Sequence, residues 1–179
     1  MAAPYKIYLL RHEKRVKDIS FSASLNENGL SDADSHVKKK LLKLDITEIY
    51  CSPFLRTLQT VAPFARETGM KVNLEWSLVE SFPAVDTRFP EFEDIINTDY
   101  VSFLPYDDKK ATGSLANFLA LQQNTRAFVD SLQPKGNILF VTHLPVINAI
   151  LSNRGIEYIE MFTNRHAGGI LSFSTGDYV

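Results

Sequence analysis

A lone cysteine, Cys51, excludes an intrachain disulfide, and only four scattered histidines accompany it, so no zinc-type spacing exists. No metal or other cofactor is expected. An excess of charge of either sign is lacking: nineteen Lys plus Arg against twenty-one Asp plus Glu leave a formal net charge of −2. That balance argues against a dedicated nucleic-acid or anionic-membrane binder, and any function must come from local clusters. Met1 to Leu10 lacks a basic n-region, its apolar stretch is too short for a signal peptide, and no later run approaches a membrane span. A soluble cytoplasmic protein is the default expectation. With 179 residues, 45% hydrophobic and 22% charged, the chain suits one compact domain over 1–179.

Tyr5 to Leu10 is apolar on both alternations, as expected of a strand covered on both faces. From Ser31, an N-cap candidate, Ala33, Val37, Leu41 and Leu44 recur at helical spacing while Lys38 to Lys40 and Lys43 gather late. Ile46 to Cys51 reads as a second strand. Ser52-Pro53 then supplies a cap and a first-turn proline for a helix through Phe54, Leu58 and Ala62, which Pro63 should kink or interrupt before Gly69 ends it. Lys71 to Leu74 predicts a third strand, leading to Trp76-Ser77-Leu78-Val79-Glu80.

Residues 81–113 differ, with three prolines, six aromatics and seven acids against three bases, and no clear period. They read as an excursion over the sheet edge. Order resumes with Ser114 as a cap and a helix through Phe118, Leu119, Phe128, Val129 and Leu132, stopped by Pro134-Lys135-Gly136. Asn137 to Thr142 predicts another buried strand ending at His143, Pro145 opens a further helix, and Gly169 to Phe173 offers a last strand. Alternating strands and helices imply an α/β sandwich.

Ligands of open α/β sheets collect at the carboxyl ends of strands. Here the first strand ends at Arg11-His12, the second leads to Arg56 on the following helix, and the fourth ends at His143. Guanidinium forks match phosphate oxygens, and a neutral imidazole is a nucleophile near neutral pH, so the set suits a tetrahedral dianion that is transferred covalently. Each residue also has a bland alternative. A lone histidine is usually a surface or satisfied core residue, an arginine after a strand is usually solvated, and Glu80 alone is an ordinary surface charge. Adjacent strand residues point to opposite faces, so Arg11 and His12 share a pocket only if the chain leaves strand geometry between them.

Leu9-Leu10-Arg11-His12-Glu13 resembles the Arg-His-Gly signature that opens the histidine phosphatase superfamily, also called phosphoglycerate mutase-like. Cys51 to Thr60 is similar to its Ser-Pro-x-x-Arg-x-x-Gln-Thr block, Leu78-Val79-Glu80 to its Leu-x-Glu motif, and Val141-Thr142-His143 to its late Val-Ser/Thr-His-Gly block. The resemblance implies a three-layer α/β/α sandwich with a mainly parallel mixed sheet. It makes His12 the phosphorylated nucleophile, Arg11, Arg56 and His143 the phosphate pocket, and Glu80 the proton donor of a metal-independent phosphomonoesterase. The implied partner is a small-molecule or protein phosphomonoester.

Two departures stand out. Glu13 replaces the signature glycine, to weaken phosphate binding or to point away, and Leu144-Pro145 replaces the glycine after the second histidine. Leu144 keeps a backbone N–H for a phosphate contact. Arg11 to Val16 is also similar to the Arg-His-Gly-Glu-Arg-Val run of a subgroup that includes phosphatases of phosphotyrosine and steroid phosphates. Residues 11 to 17 carry four bases and one acid, which makes Lys14, Arg15 or Lys17 a candidate to hold a second anionic group or the substrate rim; the alternative is a solvated loop. Segment 81–113 falls where the family places substrate-selecting insertions. Its aromatics line a mouth for an aromatic or lipophilic leaving group, or simply pack on the core, and its acid surplus disfavours a heavily phosphorylated substrate unless Arg88, Lys109 or Lys110 faces inward. Arg154, Arg165 and His166 fit no motif and read as surface. Two other activities are compatible with the motifs: a phosphoglycerate mutase-type phosphotransferase, which the short chain disfavours, and a phosphate-ligand binder without turnover.

Overall fold

Apolar residues on both alternations put strand β1 (Lys6–Arg11) inside the sheet of the computed structural model, which describes residues 5–83, 88–107, 115–133, 135–152 and 167–174. It is joined by β2 (Ile46–Cys51), β3 (Val72–Leu74), β4 (Asn137–Thr142) and β5 (Ile170–Ser174), in the order β3-β2-β4-β1-β5. All neighbours are parallel except β5, which runs antiparallel along β1. The sheet is thus mixed and mainly parallel, as expected.

Its faces are covered separately. Tyr8, Leu10, Ile49, Cys51, Leu139 and Val141 meet the helical run of α1 (Glu27–Asp32), a π-helical stretch (Ala33–Val37) and α2 (Lys38–Leu41), together with α3 (Leu55–Thr68). Ile7, Leu9, Tyr50, Ile138 and Phe140 meet α4 (Leu115–Ser131) and α5 (Leu144–Ser152) through Phe128, Val129, Val146, Ile147 and Ile150. This is the three-layer α/β/α sandwich.

Helix boundaries differ from expectation at several points. The first helical run begins at Asn26 rather than Ser31, because the Asn26 side chain accepts from the Gly29 N–H at 2.8 Å. Ser52 does not cap α3; that helix starts at Leu55, and the Ser52 hydroxyl is engaged elsewhere. Pro63 does not interrupt α3, which runs on to Thr68 and ends at a left-handed Gly69. The proline deprives the helix of one amide bond, and burial of Val61, Ala62, Phe64 and Ala65 around it holds the turn.

The described part of the proline-rich segment follows the β3 edge. The Val72 N–H donates to the Ile95 carbonyl at 2.8 Å, and the Asn97 N–H donates to that of Val72 at 2.9 Å. Its aromatics mostly pack inward: Phe82 joins Phe21, Phe54, Trp76 and Leu121 in a third cluster and Phe92 is buried in the first, whereas Phe103, 5.8 Å from Phe128, stays exposed. Ser114, Pro134, Lys109, Lys110, Arg154, Arg165 and His166 lie outside the described residues.

Gly29 permits the closest backbone approach between α1 and the loop after β1: a Cβ there would stand 2.1 Å from the Lys14 carbonyl oxygen. The clash is with main chain, so Gly29→Ala should cost about 1–3 kcal/mol, read as a lower urea midpoint in denaturation. An unchanged midpoint would refute that packing.

Candidate active site

The carboxyl ends of β1 and β4 lie side by side, with Arg11 opposite Thr142. The chain bends at that point. The His12 N–H still donates to the Thr142 carbonyl at 3.1 Å, while the Glu13 N–H turns to the Thr60 hydroxyl on α3 at 3.0 Å. This departure from strand geometry lets Arg11 and His12 serve one pocket. On the other side, the Gly168 N–H donates to the carbonyls of Arg11 and His12 at 3.2 and 3.3 Å.

His12 is buried, and its Nδ1 lies 2.7 Å from the Glu13 carbonyl oxygen. A carbonyl only accepts, so Nδ1 carries the proton and Nε2 keeps its lone pair. Burial, reinforced by the charges of Arg56, Arg11 and Arg15 against the opposing carbonyl bond, lowers the His12 pKa to about 3. The ring is a neutral imidazole across the physiological range.

His143 follows β4 directly and is fully buried, its ring 5.4 Å from that of His12. Its Nε2 meets the Ser52 hydroxyl at 2.9 Å, and Nδ1 has no hydrogen-bond partner but lies 3.7 Å from Glu80 Oε1. A carboxylate on the Nδ1 side favours the tautomer with the proton there and Ser52 donating to Nε2. Burial, then the neighbouring His12 and the arginines, push the His143 pKa well below 6.5.

Arg56, on the first turn of α3, is wholly buried. Nη1 donates to the Ser20 carbonyl at 2.9 Å, Nη2 pairs with Glu80 Oε1, and the guanidinium carbon stands 4.4 Å over the Phe54 ring. The carboxylate offsets part of the cost of burying this cation.

Glu80 sits two residues beyond a 3-10 turn, Trp76–Leu78, that is anchored from three sides. The Thr125 hydroxyl donates to the Ser77 carbonyl and the Thr142 hydroxyl to that of Leu78, both at 2.6 Å. Beneath the turn, the buried Glu75 carboxylate accepts from the Ser77 N–H and hydroxyl, the hydroxyls of Tyr100 and Ser102, and the N–H groups of Phe103 and Leu104. Sequence reasoning missed Glu75 and assigned Ser52 to a cap. The cue for Glu75 was its place as an acid just before an apolar turn, with Ser77 two residues on.

Lys14 and Arg15 separate in the structure. Lys14 is exposed and pairs with Asp32 of α1 at 2.9 Å. Arg15 Nη1 donates to the carbonyls of Val16 and Asp18, yet its charge reaches both His12 and His143. Leu144 is the first residue of α5, where an N–H has no intrahelical acceptor. Glu13 points away from the two histidines. Its Oε1 occupies the place a side chain at Gly168 would need, its Oε2 accepts from the Lys14 N–H, and burial raises its pKa. Among the described residues, no group of three or more His, Cys, Asp or Glu side chains is arranged to hold a metal ion.

A model of the histidine phosphatase superfamily (branch 1) matches residues 7–171. The ecdysone phosphate phosphatase of Bombix mori, solved with tungstate, superposes with a TM-score of 0.73 at 15% identity, over 98% of this chain and 91% of that one. A mycobacterial glucosyl-3-phosphoglycerate phosphatase gives 0.63 at 16% identity, over 96% and 91%. SixA from Agrobacterium tumefaciens gives 0.61 at 16%, over 96% and 92%. At these identities the likeness is one of fold. No curated protein sequence matches the chain.

Two expectations follow from the buried groups. Unfolded histidines titrate near pH 6.5 and these two far lower. Between those values the unfolded chain binds more protons, so stability rises with pH and is lost as pH falls. Urea midpoints should therefore drop on acidification below about pH 6.5, and His12→Gln should flatten the slope. An unchanged slope would mean that His12 is not buried neutral. Gly168, at φ +70°, would place a Cβ 1.8 Å from Glu13 Oε1. Gly168→Ala should destabilise by about 1–2 kcal/mol from φ alone and by more from the clash. Glu13→Gly should recover only the clash part, and equal costs in both backgrounds would refute the contact.

Proposed function

Because the chain belongs to the histidine phosphatase superfamily, branch 1, we propose that it is a metal-independent phosphomonoesterase acting through a phosphohistidine on His12. The observation that carries the reading is the state of His12: Nδ1 is bound to its own chain, the pKa is about 3, and Nε2 is left to attack. Arg11, Arg56 and the His143 Nδ1–H stabilise the charge on the transferring phosphoryl oxygens. Arg15 adds to the field and Lys14 does not.

In the first step Nε2 bonds to phosphorus, the ester P–O bond breaks, and Glu80 supplies the proton taken by the leaving oxygen. In the second, Glu80 takes a proton from water, the resulting hydroxide bonds to phosphorus, and the P–N bond breaks to give inorganic phosphate and free His12. Substrate triggers the acid role. When the phosphoryl dianion takes over Nη2 of Arg56, the Glu80 carboxyl is released from its ion pair and serves the leaving oxygen.

Glu13 supplied the motive for reading the chain as a binder without turnover. Its carboxyl lies under Gly168, and the leading influences on both histidines are burial and other groups, which supports turnover instead. The tungstate bound by the Bombix mori phosphatase is a tetrahedral oxyanion of the kind this pocket suits.

His12→Ala should abolish hydrolysis of p-nitrophenyl phosphate in EDTA, and Arg56→Ala should cost at least about 10²-fold. Glu80→Gln should slow alkyl phosphates far more than p-nitrophenyl phosphate, whose leaving group needs little protonation. Activity retained by His12→Ala overturns the reading, and equal losses for Glu80→Gln on both substrate kinds remove Glu80 from the acid role.

A further inference from the structure

A second cavity lies beyond the phosphate pocket. It has a volume of about 570 Å³ and opens between the start of α3, the end of β3 and the segment that follows the β3 edge. None of Arg11, His12, Arg56, Glu80 and His143 lines it. Leu58 does, and it follows Arg56 by two residues on α3, about 200° round the helix, so the cavity and the guanidinium occupy opposite sides of that turn.

Its walls are apolar: Leu58, Leu74, Trp76, Phe89 and Ile96. Three of the polar residues beside them are already engaged by the protein. Tyr100 and Ser102 donate to Glu75, and the Asn97 amide donates to Asn73 Oδ1 at 2.8 Å. At the rim, Arg88 and Glu93 carry opposite charges, so the opening favours neither an anion nor a cation. A space of this size lined by rings and branched aliphatics, with its hydrogen bonds satisfied, selects by apolar burial.

We propose that this cavity is a second ligand site that takes a neutral, ring-bearing small molecule, and that its occupancy reaches the phosphate pocket through Phe21. The link is a stack. Phe21 lies 6.0 Å from Trp76 and 5.6 Å from Phe89, nearly parallel to both, so two walls of the cavity rest on one ring. The residue before that ring, Ser20, supplies the carbonyl that holds Arg56 Nη1, and the Phe21 carbonyl accepts from the Leu55 N–H at the head of α3. A ligand that shifts Trp76 or Phe89 therefore shifts a support of the catalytic arginine.

Trp76 is the only tryptophan of the chain, so the site reports on itself. The probe is dansylamide, a neutral ring compound that accepts excitation from tryptophan. Titration should give saturable sensitised emission with matching loss of Trp76 fluorescence. Thr98→Phe and, separately, Glu93→Phe, both at exposed rim positions, should weaken binding by about tenfold or more while circular dichroism shows an intact fold. With saturating vanadate, the dansylamide Kd should move to a plateau, the mark of coupled separate sites, instead of rising in proportion to vanadate. Absent energy transfer, unchanged binding in both rim variants, or proportional displacement by vanadate would overturn the proposal, and tighter binding of the anionic dansylsulfonate would overturn the neutral class. The fluorescence and the rim variants judge the cavity even if His12→Ala remains active, so failure of the phosphatase reading is seen separately.

Discussion

Burying the Arg56 cation is the constraint around which the pocket is organised. A wholly buried guanidinium is tolerated only where its charge is answered and its donors are taken up. Here a carbonyl, a carboxylate and an aromatic face answer the charge and take up Nη1 and Nη2, through Ser20, Glu80 and Phe54, while Nε has no hydrogen-bond partner among the described residues. Each answer fixes another part of the molecule. Ser20 belongs to the loop after β1, Glu80 to the turn after β3, and Phe54 to the junction of β2 with α3. One side chain thereby sets the relative positions of the segments following three strands. The same charge acts on His12 and His143, adding to the burial that keeps both imidazoles neutral. The neutrality of His12 and the buried positive charge of Arg56 belong to a single electrostatic arrangement.

That arrangement was legible in the sequence where strand ends carried reactive residues. Arg11, His12 and His143 each close a run of apolar residues buried on both faces, and the parallel pairing of β1 with β4 brings those ends together. Arg56 was reached through the Ser-Pro turn that follows β2. What remained hidden were contacts between residues far apart in the chain. A serine before a proline is read locally as a cap, yet Ser52 spends its hydroxyl on His143, ninety-one residues away. An acid before an apolar turn reads as surface, yet Glu75 is buried beneath groups that converge on it only when 100–104 folds back. Local propensity carries no information about such closures.

Glu13 shows the same limit in a more instructive form. A carboxylate beside an anion site looks destructive when only chain neighbours are considered. In the fold, Gly168, from the loop before β5, carries no side chain and leaves the volume that the Glu13 carboxyl fills. The departure from glycine at one position is thus matched by a glycine at another, 155 residues later (168 − 13), and the anion site keeps its positive field.

Glu80 carries the mechanism's tightest requirement, because a proton donor cannot also remain the counter-ion of a buried cation. In the ligand-free pocket it is that counter-ion, and its Oε1 serves both Arg56 and the unfilled Nδ1 side of His143. A phosphoryl dianion resolves the conflict by replacing the carboxylate on both partners. In the proposed mechanism the charge on Arg56 then stays answered through binding, and Glu80, released from its ion pair, is the group that serves the leaving oxygen.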